Sequence, residues 1–110
     1  LGEFPALIFA CKDGAPGNSF ASQVAYFGSI LPAAWSLMIA LRAKNIGATW
    51  TTLLTVKHQR VAEILGMPSS ACQLIMLPVG YTREAVLKKA DRKDASEVTF
   101  LNEWGNSLTR

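Results

Sequence analysis

The segment GSILPAAWSLMIALRAKN, residues 28–45, decides the fold of this 110-residue chain. Its first fourteen positions carry no charge, and its wealth of Ala, Leu, Met and Ile favours a helix. Pro32 suits an early helical turn. Gly28 and Pro32 are therefore expected to separate a short helix from a longer one that runs from about residue 29 to residue 44.

The longer helix has hardly any polar face. Its apolar residues are Ile30, Leu31, Ala33, Ala34, Trp35, Leu37, Met38, Ile39 and Leu41. A helix that is apolar all round must be covered all round, and a domain of this size buries only about 60–70% of its unfolded surface. We therefore expect a second subunit, or another part of the same domain, to cover this helix.

The uncharged stretch from Ser19 to Leu41 is long enough to cross a membrane. Its serines make it less apolar than a typical span, and strand-like segments flank it on both sides. We therefore predict no membrane contact. Cys11 and Cys72 lie in apolar runs, where packing as small hydrophobic residues is commoner than a disulfide. With no signal peptide apparent, the expected location is the cytoplasm.

Three further segments predict strands. PALIFAC (5–11) and ACQLIMLPVGY (71–81) have the continuous apolar character of buried strands. GATWTTL (47–53) is strand-like by its content of Thr and Trp. Strands on both sides of a long helix indicate a fold of the α+β class.

A second helix and a tail complete the chain. Thr55 can cap a helix through VKHQRVAEILG (56–66), which Gly66 would end. Residues 81–110 are too polar to form a core of their own, and we expect an extended tail that lies across a partner. Residues 1–110 are thus expected to form a single partial domain.

Residue types that usually mark a catalytic centre are sparse. His58 is the only histidine and is expected to be a solvated surface residue. No Cys/His spacing suits zinc, and no glycine-rich phosphate loop is present. The net charge of +3 is modest, which argues against nucleic-acid binding. No catalytic residue and no metal site is predicted.

Two segments could contact a ligand. Trp50, Thr51 and Thr52 bring polar groups to a strand end, where they could bond the rim of a flat heterocycle; an ordinary core strand is the alternative. KKADRK, residues 88–93, places four cations around one aspartate and could hold a phosphate. A solvated basic tail is the alternative for that segment.

Four segments, in this order, resemble the C-terminal half of the nitroreductase family of flavoproteins: GSILPAAWSLMIALRAKNIGATWTTL (28–53), VAEILGMP (61–68), LIMLPVGY (74–81) and EVTFLNEWG (97–105). The resemblance extends from about Pro5 to Gly105. It implies part of a three-layer α+β sandwich, with a central antiparallel-type sheet and a long buried helix at a dimer interface.

The resemblance also implies a function. Members of the family are FMN-dependent homodimers, which here would associate through the long helix 29–44. Hydride passes from NADH or NADPH to FMN and on to a small nitroaromatic or quinone-like acceptor. The C-terminal extension wraps over the partner subunit.

By position, the resemblance assigns flavin-binding roles to seven residues: Trp50, Thr51 and Thr52 beside the isoalloxazine, Arg92 and Lys93 at the phosphate, and Pro32 and Ala33 on the interface helix. The family's Arg-rich R-S-x-R-x-F stretch is absent from these residues, and the chain begins without Met. We therefore expect a truncated enzyme that binds FMN weakly alone. The alternative is a non-catalytic dimeric half-domain without flavin.

Overall fold

The computed structural model describes residues 3–82, 86 and 88–107. Within them the chain forms three strands and two α-helices: β1 (Ala6–Asp13), α1 (Phe20–Arg42), β2 (Ile46–Ala48), α2 (His58–Leu65) and β3 (Ala71–Tyr81). Two short 3-10 turns, Leu53–Lys57 and Ala95–Glu97, complete the regular structure of these residues. The predicted α+β class is confirmed.

β3 is the central strand of a three-stranded antiparallel sheet, with β1 on one side and β2 on the other. The apolar run ACQLIMLPVGY fits that place, because a continuous apolar run of this kind is typical of a buried strand. Leu77 is fully buried, and Ile75 and Val79 are nearly so. The predicted antiparallel sheet is thus confirmed. β1 forms as predicted, but as an outer strand it is only partly covered, not buried.

α1 is one continuous helix of 23 residues, so the predicted break at Gly28 and Pro32 is wrong. Ser19 caps the start of the helix, since its hydroxyl accepts a hydrogen bond of 3.2 Å from the Ser22 amide. Pro32 offers no N–H to the carbonyl of Gly28, four residues earlier.

α1 covers one face of the sheet. Three of its apolar side chains pack against the buried cluster of β3: Leu31, Met38 and Leu41. Of its other residues only Tyr26 and Ala34 are buried, whereas Trp35 and Ile39 are each 57% exposed. The described residues therefore do not enclose this helix, and the cover expected from the sequence stays a prediction.

By length and composition, α1 could also cross a membrane. An 18-residue stretch of α1 has a mean hydropathy of 1.7, and 11% of that stretch is buried. Core helices of soluble proteins can be as long and as apolar as α1, but they are mostly buried, whereas α1 contacts the sheet along one side only.

After α1 the chain reverses at Asn45, whose φ of 58° is left-handed, and returns along the edge of β3. β2 pairs with β3 over only three residues, so the strand predicted for GATWTTL is shorter than expected. Beyond β2, the Thr49 amide donates to the Pro78 carbonyl at 3.2 Å, and Thr51 forms an isolated pair with Met76.

The predicted cap at Thr55 is also wrong. Thr55 lies inside the 3-10 turn, where its hydroxyl donates to the Thr52 carbonyl at 2.6 Å. That bond tightens the turn and delays the start of α2 to His58. Gly66 ends α2 with a left-handed φ of 63°, as predicted.

Residues 83–85, 87 and 108–110 of the predicted tail lie outside the described residues. In the described part, Asp94 caps the turn Ala95–Glu97, and the rings of Phe100 and Trp104 lie 5.2 Å apart. Trp104 is 93% exposed.

The radius of gyration is 18.0 Å, against about 13 Å for a compact chain of this length. The contact of this tail with a partner stays a prediction.

Candidate functional site

A cavity of about 660 Å³ is bordered by α1, the turn that follows β2 and the start of β3. Its lining residues are Ala15, Pro16, Phe27, Leu31, Thr52, Thr55, His58, Cys72, Gln73, Leu74 and Ile75. None of these is Asp, Glu, Lys or Arg, and most of the wall is apolar. An apolar space of this size with a few hydroxyl and amide groups is typical of a small-molecule site.

Thr52 is the predicted site residue that lines this cavity. Its carbonyl is already used, because both the amide and the hydroxyl of Thr55 donate to it, at 3.0 and 2.6 Å. The Thr52 hydroxyl has no partner among the residues that the structure describes, and the residue is exposed. A ligand in the cavity therefore has one free hydroxyl to bond at this position.

Trp50 and Thr51 do not line the cavity. The Thr51 backbone is used by the sheet, since its amide donates to the Met76 carbonyl and the Met76 amide donates back, each at 3.0 Å. Trp50 packs against the buried cluster of β3. Trp50 thus contributes to the core of the sheet, and the flavin-binding roles of Trp50 and Thr51 stay predictions.

Pro32 and Ala33 are exposed on α1 and do not line the cavity either. The helix instead presents Phe27 and Leu31 to it. These two residues are four apart and so lie on one helix face. That spacing is a signal in the sequence that could have identified them.

Arg92 and Lys93 are exposed in the described part of the tail. The Arg92 guanidinium donates to the carbonyl of Asp91 at 3.2 Å. Neither residue lines the cavity, so one chain does not bring these cations and Thr52 together there. Their role at a phosphate stays a prediction.

Gln73 was missed in the sequence. It is only 5% exposed, and its side-chain amide donates to the backbone carbonyl of His58 at 2.5 Å. Its signal was its place as the one amide side chain in the apolar run ACQLIMLPVGY. The imidazole of His58 is exposed, as predicted, although the residue also borders the cavity.

Cys72 borders the cavity close to the buried Tyr26 of α1. Burial, and then the proximity of Cys72 and Asp13, raises the pKa of the Tyr26 hydroxyl. Burial, and then Cys72, likewise raises the pKa of the Cys11 thiol. Both cysteines are free thiols, and the strand register places Cys11 opposite Gln73. Cys72 is partly buried, but Cys11 is exposed, so the expected packing as a small hydrophobic residue does not hold for Cys11.

A second groove of about 630 Å³, slightly less open than the cavity at Thr52, lies at the other end of α1. Trp35, Arg42 and Tyr81 are among its lining residues, and none of the seven predicted flavin-binding residues is. Among residues 3–82, 86 and 88–107, no group of three or more His, Cys, Asp or Glu is placed to hold a metal ion. The cavity at Thr52 is the stronger candidate for a ligand site, because one of the seven predicted flavin-binding residues lines it and none lines the groove.

Comparison with known proteins agrees with the resemblance seen in the sequence. The model of the Nitroreductase family matches residues 1–81, a range that includes α1, all three strands and the cavity. The tail beyond residue 81, with Arg92 and Lys93, lies outside the matched range. No curated protein matches the sequence.

Proposed function

This chain belongs to the nitroreductase family, and from that premise we propose that it forms part of an FMN-dependent oxidoreductase that uses NADH or NADPH. The family as a whole indicates a flavin oxidoreductase. The observation that carries the finer proposal is the cavity at Thr52, because it combines apolar walls with a free hydroxyl in the segment that resembles the family's flavin-binding segment.

The residues of the cavity suit the ring of a flavin. Phe27, Leu31 and Ile75 supply apolar surface for the faces of a flat heterocycle, and Thr52 supplies a hydroxyl for its polar rim. When bound, FMN supplies the chemistry, accepting hydride from the nicotinamide and reducing a nitroaromatic or quinone-like acceptor. The protein binds and orients the ring and keeps water from its buried side.

The phosphate of FMN requires cations that the cavity does not contain. Arg92 and Lys93 are the residues that we propose for it, since an arginine bonds two phosphate oxygens at once. They lie in the tail, which we propose to cross onto the partner subunit. The complete site would then combine the cavity of one subunit with the basic residues of the other.

A homodimer through helix 29–44 is part of the same proposal. The side of α1 turned away from the sheet exposes large apolar side chains, including Trp35 and Ile39. Burial of such surface stabilises association by about 25 cal/mol per Å² before its entropic cost. A second copy of α1, equally apolar, is the cover that we propose.

Flavin titration tests the proposed function directly. Purified protein is mixed with FMN, and we expect quenched flavin fluorescence and a shifted visible absorption spectrum, followed by bleaching when NADPH or NADH is added. Riboflavin, which lacks the phosphate, serves as the matched ligand and is expected to bind more weakly. Absence of any spectral change with FMN up to millimolar concentration would contradict the proposal.

The second candidate function is a non-catalytic dimeric half-domain. It is favoured by one observation, the absence of cations from the described residues that line the cavity. In that case the protein stays dimeric by sedimentation and colourless with added FMN. A need for detergent to keep it in solution would contradict both candidates and favour a membrane role for α1.

A further inference from the structure

The chain from Ile46 to His58 follows the edge of β3, but it is bonded to that strand only at intervals. β2 pairs with β3, then Thr49 bonds to Pro78, and then Thr51 pairs with Met76. Thr52 and the 3-10 turn Leu53–Lys57 follow, and we name this segment, residues 52–57, the arch. The arch carries Thr52 and Thr55, which line the cavity.

The far end of the arch is bonded to β3 by a side chain. Lys57 leads directly into His58, the first residue of α2, and the carbonyl of His58 accepts a bond from the Gln73 amide. Gln73 is buried. At the near end of the arch, the backbone pair of Thr51 and Met76 joins the chain to β3, and at the far end the side chain of Gln73 does so. The arch is thus bonded to β3 on both sides, at residues 76 and 73.

An irregularity in the sheet accompanies this contact. β1 and β3 pair regularly until Ala10 faces Ile75, and the next pair is Cys11 with Gln73, so Leu74 is an extra residue in β3. Such a bulge interrupts the alternation of side chains and redirects one of them. Leu74 packs against the buried cluster, and Gln73 bonds to His58.

We propose that Gln73 is a positioning residue that holds the arch, and with it the Thr52 hydroxyl, in place at the wall of the cavity. Its effect on flavin binding rests on the proposed function; its effect on the arch does not. The amide of Gln73 is buried and touches the backbone of His58, and not Thr52 itself. Gln73 also lines the cavity, but its side-chain N–H donates to the His58 carbonyl, so the role that we propose is exerted through the arch and is measured without flavin first.

Three variants separate this role from ordinary packing. Gln73→Met keeps the length of the side chain but removes the donor. Gln73→Glu keeps the shape and donates a hydrogen bond only while its carboxyl group is protonated. Gln59→Met makes the same change at an exposed position of α2 that does not line the cavity, and it serves as the matched control.

Hydrogen exchange in the absence of flavin gives the first measurement. In Gln73→Met we expect the amides of residues 53–58 to exchange about tenfold faster, the effect of losing one hydrogen bond to a buried group. In the same variant, the amides that pair β1 with β3 should exchange at the rates of the parent protein. In Gln59→Met, the amides of residues 53–58 should also exchange at the parent rates. Unchanged exchange in the arch of Gln73→Met would overturn the proposal.

Flavin titration over a range of pH gives the second measurement. The dissociation constant for FMN should rise about tenfold in Gln73→Met at every pH. In Gln73→Glu it should stay near that of the parent protein at low pH and rise as the carboxyl group ionises, a pH profile that a packing defect would not produce. Faster exchange with unchanged flavin affinity would overturn the positioning role.

The two measurements distinguish failure of the proposed function from failure of the positioning role. If the parent protein binds no FMN, the proposed function is wrong, and the exchange rates in Gln73→Met and Gln73→Glu decide alone whether Gln73 holds the arch. If FMN binds and neither variant changes exchange or affinity, the proposed function stands and Gln73 has no positioning role.

Discussion

Thr51 and Met76 exchange two backbone hydrogen bonds, each of 3.0 Å, beyond the end of β2. The pair returns the chain to the edge of β3 immediately before Thr52 reaches the cavity. The polar groups of the Trp-Thr-Thr segment are therefore divided between two tasks. The Thr51 backbone belongs to the sheet, whereas the Thr52 hydroxyl has no partner among the described residues, and we propose it as a donor or acceptor for the flavin.

Thr52→Val removes that hydroxyl and keeps the branched shape of the side chain. We expect FMN affinity to fall by about 0.5–1.5 kcal/mol, the net contribution of one neutral hydrogen bond. The measurement is a fluorescence titration with FMN. Thr49→Val, on the same segment but lining the other groove, is the control and should bind FMN like the parent protein. Equal affinities for both variants would exclude the Thr52 hydroxyl from the site.

Arg92→Ala should weaken FMN binding by about 1.5–3 kcal/mol if Arg92 forms a charge-assisted bond to the phosphate. The loss should be smaller at high salt, because added ions screen exposed charges. Riboflavin binding should not change. Arg60→Ala removes an exposed arginine of α2 that does not line the cavity and is the matched control. Unchanged FMN affinity in Arg92→Ala would remove Arg92 from the site.

Trp35→Glu tests the proposed dimer. Trp35 is 57% exposed on α1, and a charge there would be buried against the partner helix. We expect the dimer to weaken by about 2 kcal/mol or more, as for other buried aromatic contacts, in sedimentation equilibrium. Ile64→Glu changes an exposed residue of α2 and should leave association unchanged. A dimer equally stable in both variants would place the interface elsewhere.

Leu77→Ala tests the core of the sheet. Leu77 is fully buried in the middle of β3, and its truncation should lower the free energy of unfolding by about 2–5 kcal/mol. Urea denaturation followed by tryptophan fluorescence measures this change. Leu53→Ala, at a position 79% exposed, should stay within about 0.5 kcal/mol of the parent protein. A similar loss in both variants would contradict the observed packing.

The turn Ala95–Glu97 should depend on pH. The Ser96 hydroxyl and then the Ser96 amide donate to Asp94, which lowers the pKa of its carboxyl group. Because the pKa is lowered in the folded chain, the carboxylate stabilises the turn fully at pH values above the ordinary pKa of an aspartate, about 3.9. This stabilisation is lost as the pH falls through the lowered pKa of Asp94. NMR titration of the Asp94 carboxyl and the Ser96 amide measures it. A midpoint at or above the ordinary value would contradict the cap.

Much of the fold could be predicted because its elements are dictated locally. The run 71–81 is apolar throughout and became the central strand, and Gly66 ended α2 where the sequence placed the stop. The break expected at Gly28 and Pro32 did not occur, because Ser19 caps the helix earlier in the chain and the contacts of Leu31 and Met38 with the sheet outweigh one missing hydrogen bond.

The site could be predicted less completely because it depends on distant contacts. Thr52 was predicted from its segment and lines the cavity, whereas Phe27 and Gln73 reach the same cavity only through the packing of α1 and β3. No local pattern encodes the bond between Gln73 and His58, which are fifteen residues apart. The placement of Arg92 and Lys93 depends on a partner surface and stays a prediction.

The order of the strands also affects how the protein is made. β1 leaves the ribosome before α1, yet its partner in the sheet, β3, follows only after α1, β2 and α2 have been synthesised. Pairing between segments so distant in sequence is slow, and apolar surface that waits for its partner invites aggregation. We expect newly made chains to depend on chaperones until β3 emerges, and soluble yield to rise when translation is slowed by cooling.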